Sequence, residues 1–331
     1  MEKKQVVILA IVAFNVGRFW TWIINSPLKP QNIVHEAKQN RPIQPAARVY
    51  TGEFNLTLPF VEPKLSSEES SLYLAVVVNT GANEEKHRTL RQTIRKTWGN
   101  TSESLGNVKN LKWKLFFALG IATNQSYYAA SLQEARDHND VIIGNFSDTY
   151  RNVVMKTFMG LLWSATKLSC KFVLKTDDDV YVRVPQLMTW LENTGSPRSF
   201  YGGVIGIFDV IPRNPKSQWY IPYELHDKEK WPPWLQGAYT VFSSDTLPRY
   251  LIYTYRRKPF HTDDAYLGVA SEDLQIKAVQ IPGFVIEHYD FDRVRSNKEL
   301  NETLTIGHRV KPDFMIKYHK YYQSICLHRH D

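Results

Sequence analysis

Cysteine is nearly absent: the 331 residues hold only Cys170 and Cys326. That permits one disulfide at most and excludes both a disulfide framework and a CxxC metal site. Glycine-rich phosphate loops are also missing. No GxGxxG follows the first apolar run of the globular part, and no GxxxxGK[ST] occurs anywhere. A nucleotide bound here would need its phosphates neutralised by a metal rather than by a glycine-rich loop. Internal repeats are lacking. Strong charge of one sign is lacking too: a net +8 and a pI near 9.2 are a modest basic excess spread along the chain. That excess permits nucleic acid, anionic phosphate ligands or an anionic membrane face and decides among none; on other grounds no nucleic-acid partner is expected.

What is present is core material and signs of secretion. Hydrophobic residues make up 43%, with 9 Trp, 18 Tyr and 16 Phe, enough for one large domain or two small ones. Five N-x-[ST] sequons, at Asn55, Asn100, Asn124, Asn145 and Asn301, point to a secretory route. The stretch QVVILAIVAFNVGRFWTWII (5–24) has about the ~20 residues that span a bilayer, with Lys3 and Lys4 before it. No small-x-small cleavage site follows, so an uncleaved signal anchor is favoured over a signal peptide or an ordinary apolar helix. The expected organisation is a cytoplasmic tail (1–4), the anchor (5–24), a proline-rich stem (25–70) and a lumenal domain (71–331).

The lumenal domain opens on LYLAVVVNT (72–80), an apolar strand, followed by a basic helix at about 85–98. Strand KWKLFFALG (112–120), a helix from Asn124 to Arg136, strand VIIG (141–144), a helix over 151–168 and a strand over 171–176 come next. Uniformly apolar strands alternating with helices predict an α/β fold with a largely parallel sheet covered on both faces. Ligands of such sheets bind beyond the carboxyl ends of the strands.

At such an end stand Asp177, Asp178 and Asp179, flanked on both sides by β-formers. Adjacent carboxylates near apolar neighbours are costly unless compensated. Hard carboxylate oxygens suit Mg²⁺ or Mn²⁺, although a solvated loop with an N-cap would read alike. A second acidic pair, Asp263 and Asp264, opens a short helix in HTDDAYLGVA (261–270) and is either a cap or a general base. KWPPWLQGAY (230–239) presents Trp231 and Trp234 on a proline-stiffened loop ahead of Gly237, for core packing or for stacking on a sugar or base. Arg88, Arg91 and Arg95 lie on one helical face, as a solvated stripe, a phosphate-facing surface or ion-pair partners of internal carboxylates.

Taken in order, RQTIRKTWG, FFALG, DVIIGNFSDTYRNVVMKTFMGLLW, KFVLKTDDDVYV, KSQWY…KWPPW…GAYTVFS and DDAYLG resemble the β1,3-glycosyltransferases of glycosyltransferase family 31. The likeness covers about 71–325. It implies a Golgi type II membrane enzyme with a GT-A-like, Rossmann-type mixed sheet that uses a UDP-sugar and Mn²⁺ and inverts the anomeric centre. On the matching positions, Asp179 would be the direct metal ligand with Asp177, and Asp264 the catalytic base supported by Asp263. Asp177, Asp178, Lys175, Arg91 and Arg95 would face the nucleotide. His308, in GHRVKPDFM, is the implied third metal ligand, with His288 a weaker rival. Trp231, Trp234 and Gly237 would line the sugar site. The chain departs from the family in lacking a cysteine after the Pro-Pro pair, which leaves the pairing of Cys170 and Cys326 open. WPPW leans toward the brainiac-like branch and so toward UDP-N-acetylglucosamine rather than UDP-galactose as donor. The acceptor would be a glycan on lipid or protein. A lumenal carbohydrate-binding protein without activity and a metal-dependent phosphoesterase are the competing classes.

Overall fold

A computed structural model of the chain describes residues 54, 56–101, 111–206, 209–286 and 302–327. The expected anchor (5–24), Asn55, Asn301 and His288 lie outside these residues. Among the described residues no helix is long and apolar enough to cross a membrane.

Four strands form the parallel half of the sheet: β1 (Ser71–Asn79), β2 (Trp113–Ile121), β3 (Val141–Ser147) and β4 (Ser169–Asp177). Helices α1 (Glu85–Lys96), α2 (Gln125–His138) and α3 (Val153–Lys167) connect them. The antiparallel ribbon β6 (Tyr201–Ile205) and β7 (Leu235–Ser243) joins β4 through β7, and β8 (Ala278–Gln280) runs parallel to β6 at the edge. The order is β3-β2-β1-β4-β7-β6-β8, a mixed α/β sheet with a largely parallel core.

Period-2 alternation sends the β1 side chains to opposite faces. Leu74, Val76 and Val78 enter one core with α1, α4 (Val184–Asn193) and α7 (Pro312–Leu327). Ala75 and Val77 enter the other with α3, α5 (Leu247–Arg256) and α6 (Asp263–Asp273). Each fully buried Val, Leu or Phe contributes roughly 1.5–3 kcal/mol of transfer free energy, so two-sided burial is what makes these strands continuous apolar runs. A small second sheet pairs β5 (Tyr181–Val182) with β9 (Thr305–Ile306).

The end of the expected stem packs onto this domain. Leu56 is buried, Phe54 meets the Phe158 ring edge-on, and Val61 bridges to Ile143. Trp163 Nε1 donates to Glu62 at 2.8 Å. The packed unit therefore begins before residue 71, because Phe54 and Leu56 join the α3-side core and Val61 packs against the other.

Candidate active site

β1 lies between β2 and β4, and its connections leave in opposite directions, to β2 on one side and ultimately from β3 back to β4 on the other. That reversal opens a crevice at the carboxyl ends of β1 and β4, where Asn79 and Asp177 stand side by side. Buried strands carry Asp177 to this edge, and the chain then turns through Asp178 and Asp179 before Val180 and Tyr181 dive back into the core.

The turn is tied to a distant segment. Tyr181 pairs with Ile306 in the β5–β9 ladder, and Val310 N–H donates to the Asp179 carbonyl at 2.7 Å. This brings His308 Nδ1 to 3.4 Å from Asp179 Oδ1. One ligand atom each from Asp177, Asp179 and His308 lies within 4.8 Å of the other two. Asp179 Oδ1 and His308 Nδ1 are buried atoms that meet each other as an ion pair, and neither has a hydrogen-bond partner. Such orphans are expensive in a folded protein unless a ligand satisfies them. Two carboxylates and one imidazole form a donor set suited to a divalent cation of the Mn²⁺ type, so these residues fit the metal that the motif implies.

Opposite stands the second acidic pair. Asp263 and Asp264 occupy the first turn of α6, where the helix dipole favours negative charge. Thr157 Oγ1 donates to Asp263 at 2.6 Å, and Asn79 Nδ2 donates to Thr157 at 2.8 Å. Between the clusters lies Lys175, 2% exposed. Its Nζ is 3.3 Å from both Asp177 and Asp263 and donates to the Gly237 carbonyl at 2.6 Å. Gly237 permits a close approach: a β-carbon there would lie 3.2 Å from Asp264 Oδ2, and the carboxylate would have to give by a few tenths of an ångström.

The electrostatics follow from this placement. Burial pushes the Asp264 carboxyl up to about 6, with the Asp263 charge adding to the rise and the Ala265 N–H and Lys175 opposing it. Burial likewise pushes Asp177 up to about 7, against the pull of Lys175. Burial alone would depress Lys175, but the Asp177, Asp263 and Asp264 charges hold it well above its ordinary value. Asp179 is also buried, yet the His308 ring and the Arg309 N–H bring its carboxyl below the usual range.

Several expected site residues are placed elsewhere. Asp178 is turned away from the metal group and accepts from Thr80 Oγ1 at 2.5 Å, with His87 Nδ1 at 2.7 Å. It anchors the turn rather than facing a nucleotide. Arg91 and Arg95 do not form a phosphate-facing surface. Arg91 donates to both Glu134 oxygens at 2.9 and 2.6 Å, and Arg95 bridges Glu134 at 2.7 Å and both Asp140 oxygens at 2.8 Å. Their charge is satisfied inside the fold, as the ion-pair alternative anticipated.

Trp231 stacks on His226 at 5.3 Å and packs against Phe260, which makes it a packing residue and not a sugar wall. Trp234 lies against Gly206 and Gly268, where any β-carbon would fall 2.2 and 2.4 Å from it. Asn124 and Asn145 are exposed and Asn100 is half-buried. Cys170 is a free thiol near Ser244 Oγ at 3.3 Å, and the Cys326 side chain lies outside the described residues. Thr157 and Asn79 escaped the sequence reading. They sit in quoted motifs, but nothing local marks a threonine in a helix as the partner of an aspartate 106 residues away.

The family model of the galactosyltransferases matches residues 89–282, more than half of the chain. The chain belongs to that family. The matched segment holds Asp177, Asp179, Asp263 and Asp264 but stops short of His308. Among curated relatives, human beta-1,3-galactosyltransferase 2 is 30% identical over 269 residues, covering 80% of this chain and 61% of its own length. Mouse beta-1,3-galactosyltransferase 1 is 29% identical over 295 residues, covering 88% of this chain and 83% of its own. The chain thus spans less than two thirds of the first of these relatives. A solved structure of the galactosyltransferase LgtC with donor and acceptor sugar analogs aligns over 77% of this chain and 95% of its own, at 11% identity and a TM-score of 0.35.

Proposed function

We propose that this family member is an inverting β1,3-glycosyltransferase that moves a hexose from a UDP-sugar to the 3-hydroxyl of an acceptor glycan. The observation that carries the reading is the pairing, across Lys175 and Gly237, of a cation-suited group (Asp177, Asp179, His308) with a second, buried carboxylate pair (Asp263, Asp264). A leaving diphosphate and an entering hydroxyl need opposite electrostatics, and two separated acidic clusters can supply both.

A divalent cation held by Asp177, Asp179 and His308 would supply the positive charge that a UDP leaving group requires. Asp264 accepts the acceptor's 3-hydroxyl proton while that oxygen bonds to the anomeric carbon. The bond from that carbon to the diphosphate oxygen breaks, and UDP departs with the electron pair. A carboxyl raised to about 6 is ionised at neutral pH yet more basic than an ordinary aspartate, which suits this role. Asp263 holds Lys175 and is itself held by Thr157, so the base keeps its place beside Gly237.

Galactose is the first donor to test because the curated relatives carry it in their names. N-acetylglucosamine, toward which WPPW leans, is the second. We further propose a Golgi membrane location with the domain lumenal, resting on the apolar stretch 5–24 and the sequons. The test is secretion of residues 26–331 from eukaryotic cells and incubation with Mn²⁺, UDP-galactose or UDP-N-acetylglucosamine, and β-linked acceptors. Product mass and released UDP are both read. One donor should yield a β1,3-linked product that EDTA and Asp264→Asn abolish; UDP release without glycoside formation would overturn the transferase reading.

A further inference from the structure

Few large apolar side chains of the described residues stand in solvent, and two of them touch. Tyr150 is 56% exposed and Trp219 51% exposed. Tyr150 follows β3 at the carboxyl edge of the sheet, whereas Trp219 belongs to the segment between β6 and β7. Trp219 Nε1 donates to the Tyr150 hydroxyl at 3.0 Å across 69 residues of sequence. Neither ring contributes to the two cores. Keeping two aromatic rings half in water and joined by a hydrogen bond has no packing return, and such exposed patches mark binding surfaces.

Their position relative to the carboxylates is set by a second tie. The buried His261, three residues before Asp264, has its Nε2 2.8 Å from the Gln218 carbonyl, next to Trp219. The loop carrying Trp219 is itself stiff. Arg213 donates to the carbonyls of Ile221 at 2.7 Å and His226 at 2.8 Å and also to that of Lys228, while Ile211 and Ile221 are buried. Burial raises the Tyr150 phenol, the Trp219 N–H opposes this, and the charges of Asp264, Asp263 and Asp177 add to the rise. The tie from His261 to Gln218, with the Trp219–Tyr150 bond beyond it, links the ring pair to the segment that leads into Asp264. The ring pair borders the place where the entering hydroxyl must lie.

We propose that Tyr150 and Trp219 form the stacking platform for the acceptor sugar. The inference rests on Asp264 being the base, since that reading sets which substrate lies beside the platform. Pyranose rings present an apolar C–H face to aromatic rings and polar edges to hydroxyls. The Tyr150 oxygen, accepting from Trp219, keeps its own O–H to donate to the acceptor's edge. Specificity for the acceptor then resides in the β6–β7 loop and the β3 end, apart from the metal group that faces the donor.

The test compares wild type with Trp219→Ala, Tyr150→Ala and Trp219→Phe. Under Mn²⁺ and the active donor, both alanine variants should raise acceptor KM about tenfold, the scale of one lost aromatic contact. Donor KM should hold, and Tm should hold because the rings are half-exposed. Trp219→Phe should recover most of the loss by restoring a ring without the N–H. Donor KM rising while acceptor KM stays fixed would overturn the proposal and assign the platform to the donor. Saturation-transfer NMR with methyl β-galactoside and methyl β-N-acetylglucosaminide needs no turnover, so it decides the matter even if wild type transfers nothing and the functional reading fails. Signals present with wild type and lost with Trp219→Ala support the platform; equal signals, or none with wild type, overturn it.

Discussion

Two buried charge networks lie in this domain, and they are built differently. On the α1–α2 side, Arg91 and Arg95 meet Glu134 and Asp140, two cations against two anions, with short bonds throughout. At the crevice, Lys175 faces Asp177, Asp263 and Asp264, and Asp179 meets His308 instead. The first network is closed and neutral; the second is short of positive charge and leaves Asp179 Oδ1 and His308 Nδ1 with no hydrogen bond, only each other at 3.4 Å. A closed network specifies packing, while an open one keeps a vacancy in its charge for something that arrives with the substrate. Composition alone does not separate the two, since both set basic side chains against acids. Geometry does.

Breaking each network should therefore have opposite consequences. The largest effect is expected from Asp264→Asn, which removes the proton acceptor and should lower kcat by about 10²–10⁴-fold, read by product mass, with UDP and Mn²⁺ binding retained. Arg91→Ala should next cost about 3–5 kcal/mol of stability, because it leaves Glu134 buried and underpaired; a denaturant titration measures this. The closed network also has a pH signature. Burial would raise Glu134, but Arg91 and Arg95 hold it below its ordinary value of 4.5. Its stabilising contribution is present above that value and is lost as the pH falls, so wild type should lose more stability in acid than Arg91→Ala does.

In the open network the sign reverses. Asp264 ionises in the unfolded chain near its ordinary 3.8 but in the fold only near 6, so stability is lost as the pH rises between those values and the penalty is then constant above about 6. Asp264→Asn should raise the stability of the metal-free protein by about 1–3 kcal/mol at pH 8, by about half as much at pH 5, and leave it little changed below about pH 4. A variant that is inactive and more stable would identify a site strained for function. The same carboxyl predicts that kcat/KM falls as pH drops below about 6, measurable with wild type alone.

The parallel half of the fold was legible because residues such as Val76, Val77 and Leu174 are buried on both faces and leave an unbroken apolar signal. β7 was harder: its Gly237 end reads as a loop after WPPW, and pairing with β6 at Leu235 and with β4 from Tyr239 onward makes it a strand. Asp177, Asp179 and the Asp263–Asp264 pair were visible as local acid pairs. His308 came through resemblance alone, since its approach to Asp179 depends on a two-residue ladder between Tyr181 and Ile306. Arg91 and Trp231 show the limit most clearly. An arginine stripe looks the same whether it faces phosphate or Glu134, and a tryptophan beside prolines looks the same whether it stacks on sugar or on His226. Partners far along the chain decide both cases.

The most direct test of the open network is a Mn²⁺ titration of the metal-free protein followed by electron paramagnetic resonance, using wild type, Asp179→Ala, His308→Ala and Asp264→Asn. The account predicts one Mn²⁺ bound per chain in wild type and in Asp264→Asn, with the site lost in Asp179→Ala and weakened in His308→Ala. Equal Mn²⁺ binding by wild type and Asp179→Ala, or none by wild type even with UDP present, would contradict it.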